Sequence, residues 1–231
     1  MNPLELTEQC SALRRFPLAT RPTVWNNATV QTSFSPANPE RFTAAIRRFD
    51  EANAADPNVE VVNGQSHPRE LRYAQWLTAW VLKLAPQASE PLRLAARCQH
   101  LCRWESPRNS YPLDKPGYLR WRADLKRFHA EKSGQILREV GYEESVVTRV
   151  QELNLKKNHP SDPEVCVLED ALCLVFLEHQ LTPLAAKADD AKMINALQKS
   201  WKKMTPAAHA EALKLSYGER EKSLIDRALK A

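Results

Sequence analysis

The scarcity of glycine is the sequence feature that most narrows the folds open to this chain. Only 5 of the 231 residues are glycine, whereas 16 are proline. β-Sandwiches, barrels and nucleotide-binding α/β folds place glycine in tight turns and in the loops that cradle phosphate. Neither G-x-G-x-x-G nor G-x-x-x-x-G-K-[ST] occurs in the sequence. The two commonest nucleotide-binding fingerprints are therefore absent, and a glycine-dependent β or α/β architecture is disfavoured.

Apolar residues recur instead at the spacing of amphipathic helices, and prolines or cap residues precede most of the apolar stretches. No segment shows sustained alternation with period two. These patterns predict helices that start near Pro39, His67 and Ser89, two helices separated by Gly141, and three more over residues 163–181, 184–203 and 206–229. The third helix is expected to run to about Trp104. The predicted fold class is all-α, a compact multi-helix domain with a C-terminal helical extension.

The chain divides into three parts on the same patterns. Residues 1–35 have weak periodicity and three prolines, which predicts a loosely ordered N-terminal arm. Residues 36–182 are expected to form the helical domain, and residues 183–231 a C-terminal helical pair packed on it. No repeat of solenoid period occurs.

Charge and cysteine content say more about the cellular compartment of the protein than about its activity. The 33 Lys and Arg residues exceed the 28 Asp and Glu residues by 5, a mild basicity that suits a phosphorylated small molecule as well as RNA. Five cysteines, an odd number, indicate thiols in a reducing compartment rather than a disulfide framework. The sequence has no secretory signal and no apolar run near the roughly 18 residues that a membrane helix needs. We therefore expect a cytoplasmic protein with no membrane partner.

Two acidic residues interrupt the most apolar predicted helix, which spans residues 163–181. Glu169 and Asp170 lie in its middle, and apolar side chains surround its axis. A buried carboxylate costs several kcal/mol unless a cation, a metal or several donors compensate it. Two explanations carry equal weight at this point: a buried salt bridge to an arginine, or a cavity that holds a metal or a substrate.

The predicted third helix carries a polar stripe beside its apolar one. Arg97, His100 and Trp104 are spaced i, i+3 and i+7, so they would share one face. Solvated surfaces seldom combine histidine with tryptophan, and we expect this stripe to line a cavity. A plain interhelical contact is the alternative explanation.

Arginine and aromatic residues are concentrated in the segment that follows, residues 103–112. The planar guanidinium groups of Arg103 and Arg108 are suited to phosphate or carboxylate. Further along, Arg122 and His129 are seven residues apart on one predicted helix and share a side. The alternative for His129 is a structural histidine with its hydrogen bonds satisfied in the core.

These residues carry a family resemblance. The string A-A-R-C-Q-H-L-C-R-W at 95–104, F-H-A at 128–130, L-E-D at 168–170 and C-L-V-F-L-E at 173–178 resemble the domain-of-unknown-function family 4202. The resemblance extends over about residues 38–230. Its name implies no activity.

A more distant resemblance is to the HD superfamily of metal-dependent phosphohydrolases. The frame A-A-x-x-H-D-x-x-[KR] overlays Ala95 to Arg103, with Gln99 at the histidine position and His100 at the aspartate position. This resemblance implies an HD-like helical domain that binds one divalent metal (Mn, Fe, Mg or Zn). The ligands it implies in this sequence are Glu70, His100 and Asp170.

Three functions remain open on the sequence. The first is a metal-dependent hydrolase of a phosphorylated small molecule or nucleotide, in which Glu169 or His129 is the general base. Its substrate would be bound by Arg103, Trp104, Arg108 and Arg122. The second is a non-catalytic module in which the same arginines and Trp104 bind a small anionic metabolite. The third and least favoured is RNA binding through residues 103–122. The oligomeric state is not predicted.

Overall fold

Helices make up nearly all of the regular structure. The computed structural model of the protein describes residues 34–62 and 64–230, so the predicted arm lies almost entirely outside the described residues. In the described part the α-helices are α1 Pro39–Ala54, α2 Arg69–Leu84, α3 Glu90–Cys98, α4 Lys115–Glu139, α5 Glu144–Leu155, α6 Pro163–Val175, α7 Leu181–Ala185, α8 Asp190–Lys203, α9 Pro206–Ala212 and α10 Glu219–Leu229. The all-α prediction is confirmed. The division near residue 182 stays a prediction.

Local capping explains why the helix starts could be predicted. The side chain of Asn38 accepts a hydrogen bond from the amide of Arg41 at the start of α1. Ser89 caps α3 in the same way, and Asp162 accepts from two amides at the start of α6. A proline stands at the first or second position of each of these three helices. Such caps contribute about 1 kcal/mol each and are readable from sequence because they are local.

A short β-hairpin precedes α2. Strand β1, Val59–Val62, pairs antiparallel with β2, Gln65–Pro68. Gly64 has a φ of 77°, the left-handed conformation that hairpin turns require. The dipeptide Asn63-Gly64 follows a Val-Glu-Val-Val run, a pattern typical of a β-hairpin. The all-α prediction did not include this hairpin.

The third helix is shorter than predicted. α3 ends at Cys98, and Cys102 adopts the left-handed conformation with a φ of 53°. The buried amide of Cys102 donates to Oδ1 of Asn53 in α1 at 3.0 Å. This long-range contact turns the chain, so Arg97, His100 and Trp104 do not share a helix face. Arg97 instead forms a bidentate ion pair with Asp50.

The C-terminal helices are also more broken than predicted. The helix expected over 163–181 ends as α-helix at Val175 and continues as a π-helical turn, Phe176–Gln180. The helix expected over 206–229 is two helices, α9 and α10, and α8 begins only at Asp190.

Helix α6 lies at the centre of the domain, as its apolar composition indicates. It packs against α2, α3, α5, α8 and α9. Leu168, Ala171, Leu174 and Val175 are fully buried within these contacts. Within residues 34–62 and 64–230, none of the helices is long and apolar enough to cross a membrane.

Candidate anion-binding site

A cavity of about 250 Å³ opens beside α6 and is bounded by parts of α2, α4 and α8. Among the described residues that line it, cations outnumber acids by five to one. The cations are Arg103, Arg122, Lys126, Lys156 and Lys203, and the acid is Glu169. Two imidazoles, His100 and His129, complete the polar lining.

The cations reach the cavity from four parts of the fold. Arg122, Lys126 and His129 are spaced i, i+4 and i+7 on α4 and share one face of that helix. Lys156 follows the last residue of α5 with a φ of 60°, and Lys203 ends α8. Arg103 comes from the turn after α3. Folding thus gathers charges that are distant in the sequence.

Glu169 is held by two of these cations. Its carboxylate forms a close ion pair with Lys156 and lies 3.8 Å from Nζ of Lys203. Burial, the largest single effect, would raise the pKa of Glu169, but the ammonium groups of Lys156 and Lys203 together outweigh it and the pKa is lowered. A salt bridge to an arginine was one of the two explanations that the sequence left open for the buried acids; the partners of Glu169 are lysines, and Glu169 also lines a cavity. Because Glu169 stays ionised, it offsets one positive charge and leaves the cavity cationic.

Asp170, the next residue, has a different environment. The amide of Thr205 donates to its Oδ1 at 2.8 Å, and the Thr205 hydroxyl donates to its Oδ2 at 2.5 Å. Thr205 is also the N-cap residue of α9. Asp170 is buried and links α6 to α9 through uncharged donors. A cation at this carboxylate is therefore not required.

Glu70 does not line the cavity but contacts His100, which does. Oε2 of Glu70 lies 3.4 Å from Nδ1 of His100, and its Oε1 lies 3.9 Å from Nε of Arg103. The His100 ring stacks on Tyr73, with centroids 4.1 Å apart. Burial raises the pKa of Glu70 to about 7, although Arg103 opposes the shift. The carboxyl group of Glu70 is thus partly protonated near neutral pH.

The three metal ligands implied by the HD resemblance do not form one donor set. Glu70 and His100 are neighbours, but both oxygens of Asp170 are bound to Thr205. Within the described part of the chain, no group of three or more His, Cys, Asp or Glu residues is arranged to hold a metal ion. The bound metal stays a prediction.

His129 is a buried imidazole with one free nitrogen. Its Nδ1 lies 2.9 Å from the carbonyl oxygen of Leu101. A carbonyl can only accept, so Nδ1 carries the proton and Nε2 carries a lone pair. That Nε2 has no hydrogen-bond partner among the residues described. Burial, and secondarily His100, lower the pKa of His129 to about 3, so the ring is neutral at physiological pH.

The predicted ligand-binding residues divide into two groups. Arg103 and Arg122 line the cavity, whereas Trp104 and Arg108 do not belong to its lining. Trp104 packs against the hydrophobic core. Arg108 donates to the carbonyl oxygen of Tyr111 at 3.0 Å and stabilises the loop before α4.

Three lysines that line the cavity were not among the site residues predicted from the sequence. Lys126 had a readable signal, because it lies four residues after Arg122 on the same helix. Lys156 reads from sequence as a residue that complements a helix dipole, and Lys203 as one more lysine at a helix end. Only the packing of α5 and α8 against α6 brings both to Glu169.

Comparison with known proteins gives a family and nothing beyond it. The family described as a domain of unknown function, DUF4202, matches the chain over residues 43–225. No curated protein and no solved structure matches the chain. The resemblance to the HD superfamily therefore stays a prediction.

Proposed function

The chain belongs to the DUF4202 family, whose description assigns no activity, and we propose from the geometry of its cavity that it binds a small phosphorylated ligand. This proposal corresponds to the second of the three functions left open by the sequence. It requires neither a metal nor a catalytic step.

The charge balance of the cavity is the observation that carries the proposal. Five cations line it with one carboxylate among the residues described, and both imidazoles are neutral. Burial lowers the pKa of Lys156 and of Lys126, because a buried ammonium lacks its full hydration. A bound anion would restore favourable interactions to these groups. A phosphate dianion matches the excess charge better than a single carboxylate does.

The size and walls of the cavity favour a small molecule. A volume of about 250 Å³ lies just below the roughly 300–1,000 Å³ that is typical of ligand pockets. The rings of Tyr118 and Trp121 form part of the wall, and Arg103 lies over Trp121 at 5.1 Å. A ligand in the cavity can therefore place its apolar part against a ring face while its charged group contacts a neighbouring guanidinium group.

Calorimetric titration with inorganic pyrophosphate tests the proposal. We expect Lys126→Ala to weaken binding about tenfold, since a hydrogen bond to a charged group contributes about 1.5 kcal/mol or more. Lys222→Ala is the matched control, because Lys222 forms an exposed ion pair with Glu219 on α10. The control is expected to bind as the wild type does.

Two results would overturn the binding proposal. One is a wild-type protein that gives no heat with millimolar pyrophosphate at low salt. The other is equal weakening by Lys126→Ala and Lys222→Ala, which would indicate a general charge effect. Tight binding of single-stranded RNA that Lys126→Ala leaves unchanged would support the RNA-binding alternative instead.

Hydrolysis of the bound phosphate ester is the second candidate, and the free Nε2 of His129 is the observation that favours it. Of the two predicted bases, Glu169 is tied to lysines, whereas His129 can accept a proton from water once a bound anion raises its pKa. Release of phosphate from monoesters, assayed with and without Mn²⁺, Fe²⁺, Mg²⁺ or Zn²⁺, tests this. A His129→Asn variant with wild-type turnover would exclude His129 as the base.

A further inference from the structure

Two residues that line the cavity each have a buried hydrogen-bond acceptor without a partner among the described residues. Nε2 of His129 and Oε1 of Gln99 are buried and unpartnered with respect to the described chain. Both residues line the cavity and both are almost fully buried. Buried polar atoms in folded proteins nearly always have a partner, whether protein, water or ligand. These two atoms therefore indicate where a donor belongs.

The other contacts of the two side chains fix them as acceptors. His129 uses its Nδ1 proton on the carbonyl of Leu101, which leaves a lone pair on Nε2. Gln99 directs its Nε2 towards the carbonyl oxygen of Asn154 at 3.5 Å, which leaves its Oε1 free. A fully ionised phosphate has only acceptor oxygens, so it cannot satisfy these atoms. A hydroxyl group can donate to either one.

The three lysines of the cavity lie near one another and near Glu169. Lys156 and Lys203 both contact its carboxylate. Burial lowers the pKa of Lys156, and Glu169 opposes this shift. The ammonium groups of Lys126 and Lys203 lower the pKa of Lys156 further. The lining of the cavity thus includes two kinds of polar group, ammonium groups and free hydrogen-bond acceptors.

A ligand that satisfies both kinds of polar group carries an anionic group and hydroxyl groups. We infer that the cavity selects a phosphorylated polyhydroxy compound of the sugar phosphate class, whose phosphate contacts the lysines and whose hydroxyls donate to His129 and Gln99. This inference rests on the proposed binding function and specifies its ligand class. It assigns to His129 and Gln99 the recognition of the unphosphorylated part of the ligand.

The binding of four phosphate esters, one of which has no hydroxyl group, tests the ligand class separately from the binding function. Calorimetry would compare glycerol 3-phosphate, ribose 5-phosphate and glucose 6-phosphate with phenyl phosphate, with pyrophosphate as the general anion. We expect at least one polyol phosphate to bind wild-type protein about tenfold more tightly than phenyl phosphate does, the gain expected of one or two hydrogen bonds.

Two variants at one position test the role of His129. In His129→Asn the amide nitrogen stands near the Nδ1 position, so the donor to Leu101 is kept and the Nε2 acceptor is lost. In His129→Gln the amide oxygen stands near the Nε2 position and keeps an acceptor. We expect the Asn variant to lose most of the tenfold preference and the Gln variant to keep part of it. Thermal unfolding verifies that both variants are folded.

The outcomes are distinguishable. If neither pyrophosphate nor any ester binds, the binding function and the inference both fail. If phenyl phosphate binds as tightly as every polyol phosphate, the binding function stands and the inference fails. A folded His129→Asn variant that keeps the full preference would also overturn the inference, because the hydroxyls would then be recognised elsewhere.

Discussion

Replacing Asp170 with alanine is expected to lower the free energy of unfolding by about 3 kcal/mol. Both carboxylate oxygens accept hydrogen bonds from Thr205, and the site is buried between α6 and α9. The alanine variant leaves the Thr205 amide and hydroxyl without their acceptor. Chemical denaturation followed by circular dichroism measures the change.

A double-mutant cycle with Thr205→Ala provides the control for this prediction. If the pair acts as one unit, the two losses will not add, and the coupling energy will exceed about 1 kcal/mol. Asp170→Asn should lose less, because the amide oxygen can still accept from the Thr205 amide. A loss below about 0.5 kcal/mol for Asp170→Ala would contradict the structural role. Loss of a bound divalent metal at unchanged stability would return Asp170 to the metal site that the sequence implied.

Replacing Glu70 with glutamine is expected to stabilise the protein at pH 8 by about 2 to 3 kcal/mol and to have little effect at pH 4. Burial raises the pKa of Glu70 to about 7, against an ordinary value of 4.5. Between these two values the folded state binds more protons than the unfolded state, so wild-type stability falls as pH rises. Glutamine has nearly the same shape and never ionises.

The measured quantity is the difference in free energy of unfolding between Glu70→Gln and the wild type at each pH, because His129 and other groups titrate in both proteins. Glu51→Gln is the control, because Glu51 is exposed and pairs only loosely with Arg47 on α1. Its stability difference from wild type should not grow between pH 4.5 and 8. A Glu70→Gln variant whose stability parallels wild type over that range would show that the carboxyl is already ionised when folded.

The starts of α1, α3 and α6 are readable from the sequence, whereas the end of α3 is not. The starts of α1, α3 and α6 depend on a cap and a proline within a few residues, so they are local signals. The end of α3 depends on Asn53, which accepts from Cys102 across 49 positions of the chain. No local signal between Cys98 and Trp104 marks that turn, so the sequence pattern predicts a helix that continues past Cys98 to Trp104.

In the candidate site, too, the features that lie within one helix could be predicted and those that depend on long-range contacts could not. Arg122 and His129 could be placed together because one helix carries both. Adjacent acids on α6 could not be distinguished by pattern, yet Glu169 contacts two lysines and Asp170 contacts Thr205. Their partners come from three other elements, and only tertiary packing decides which acid faces the cavity.

Anomalous diffraction from crystals grown with tungstate is the most direct test of the central claim, that the cavity binds a phosphate group. Tungstate is a tetrahedral dianion, and its metal locates it without ambiguity. We predict its strongest site within hydrogen-bonding distance of Lys126, Lys156 and Lys203. Tungstate bound only at the outer surface, with none in the cavity at saturating concentration, would contradict the account.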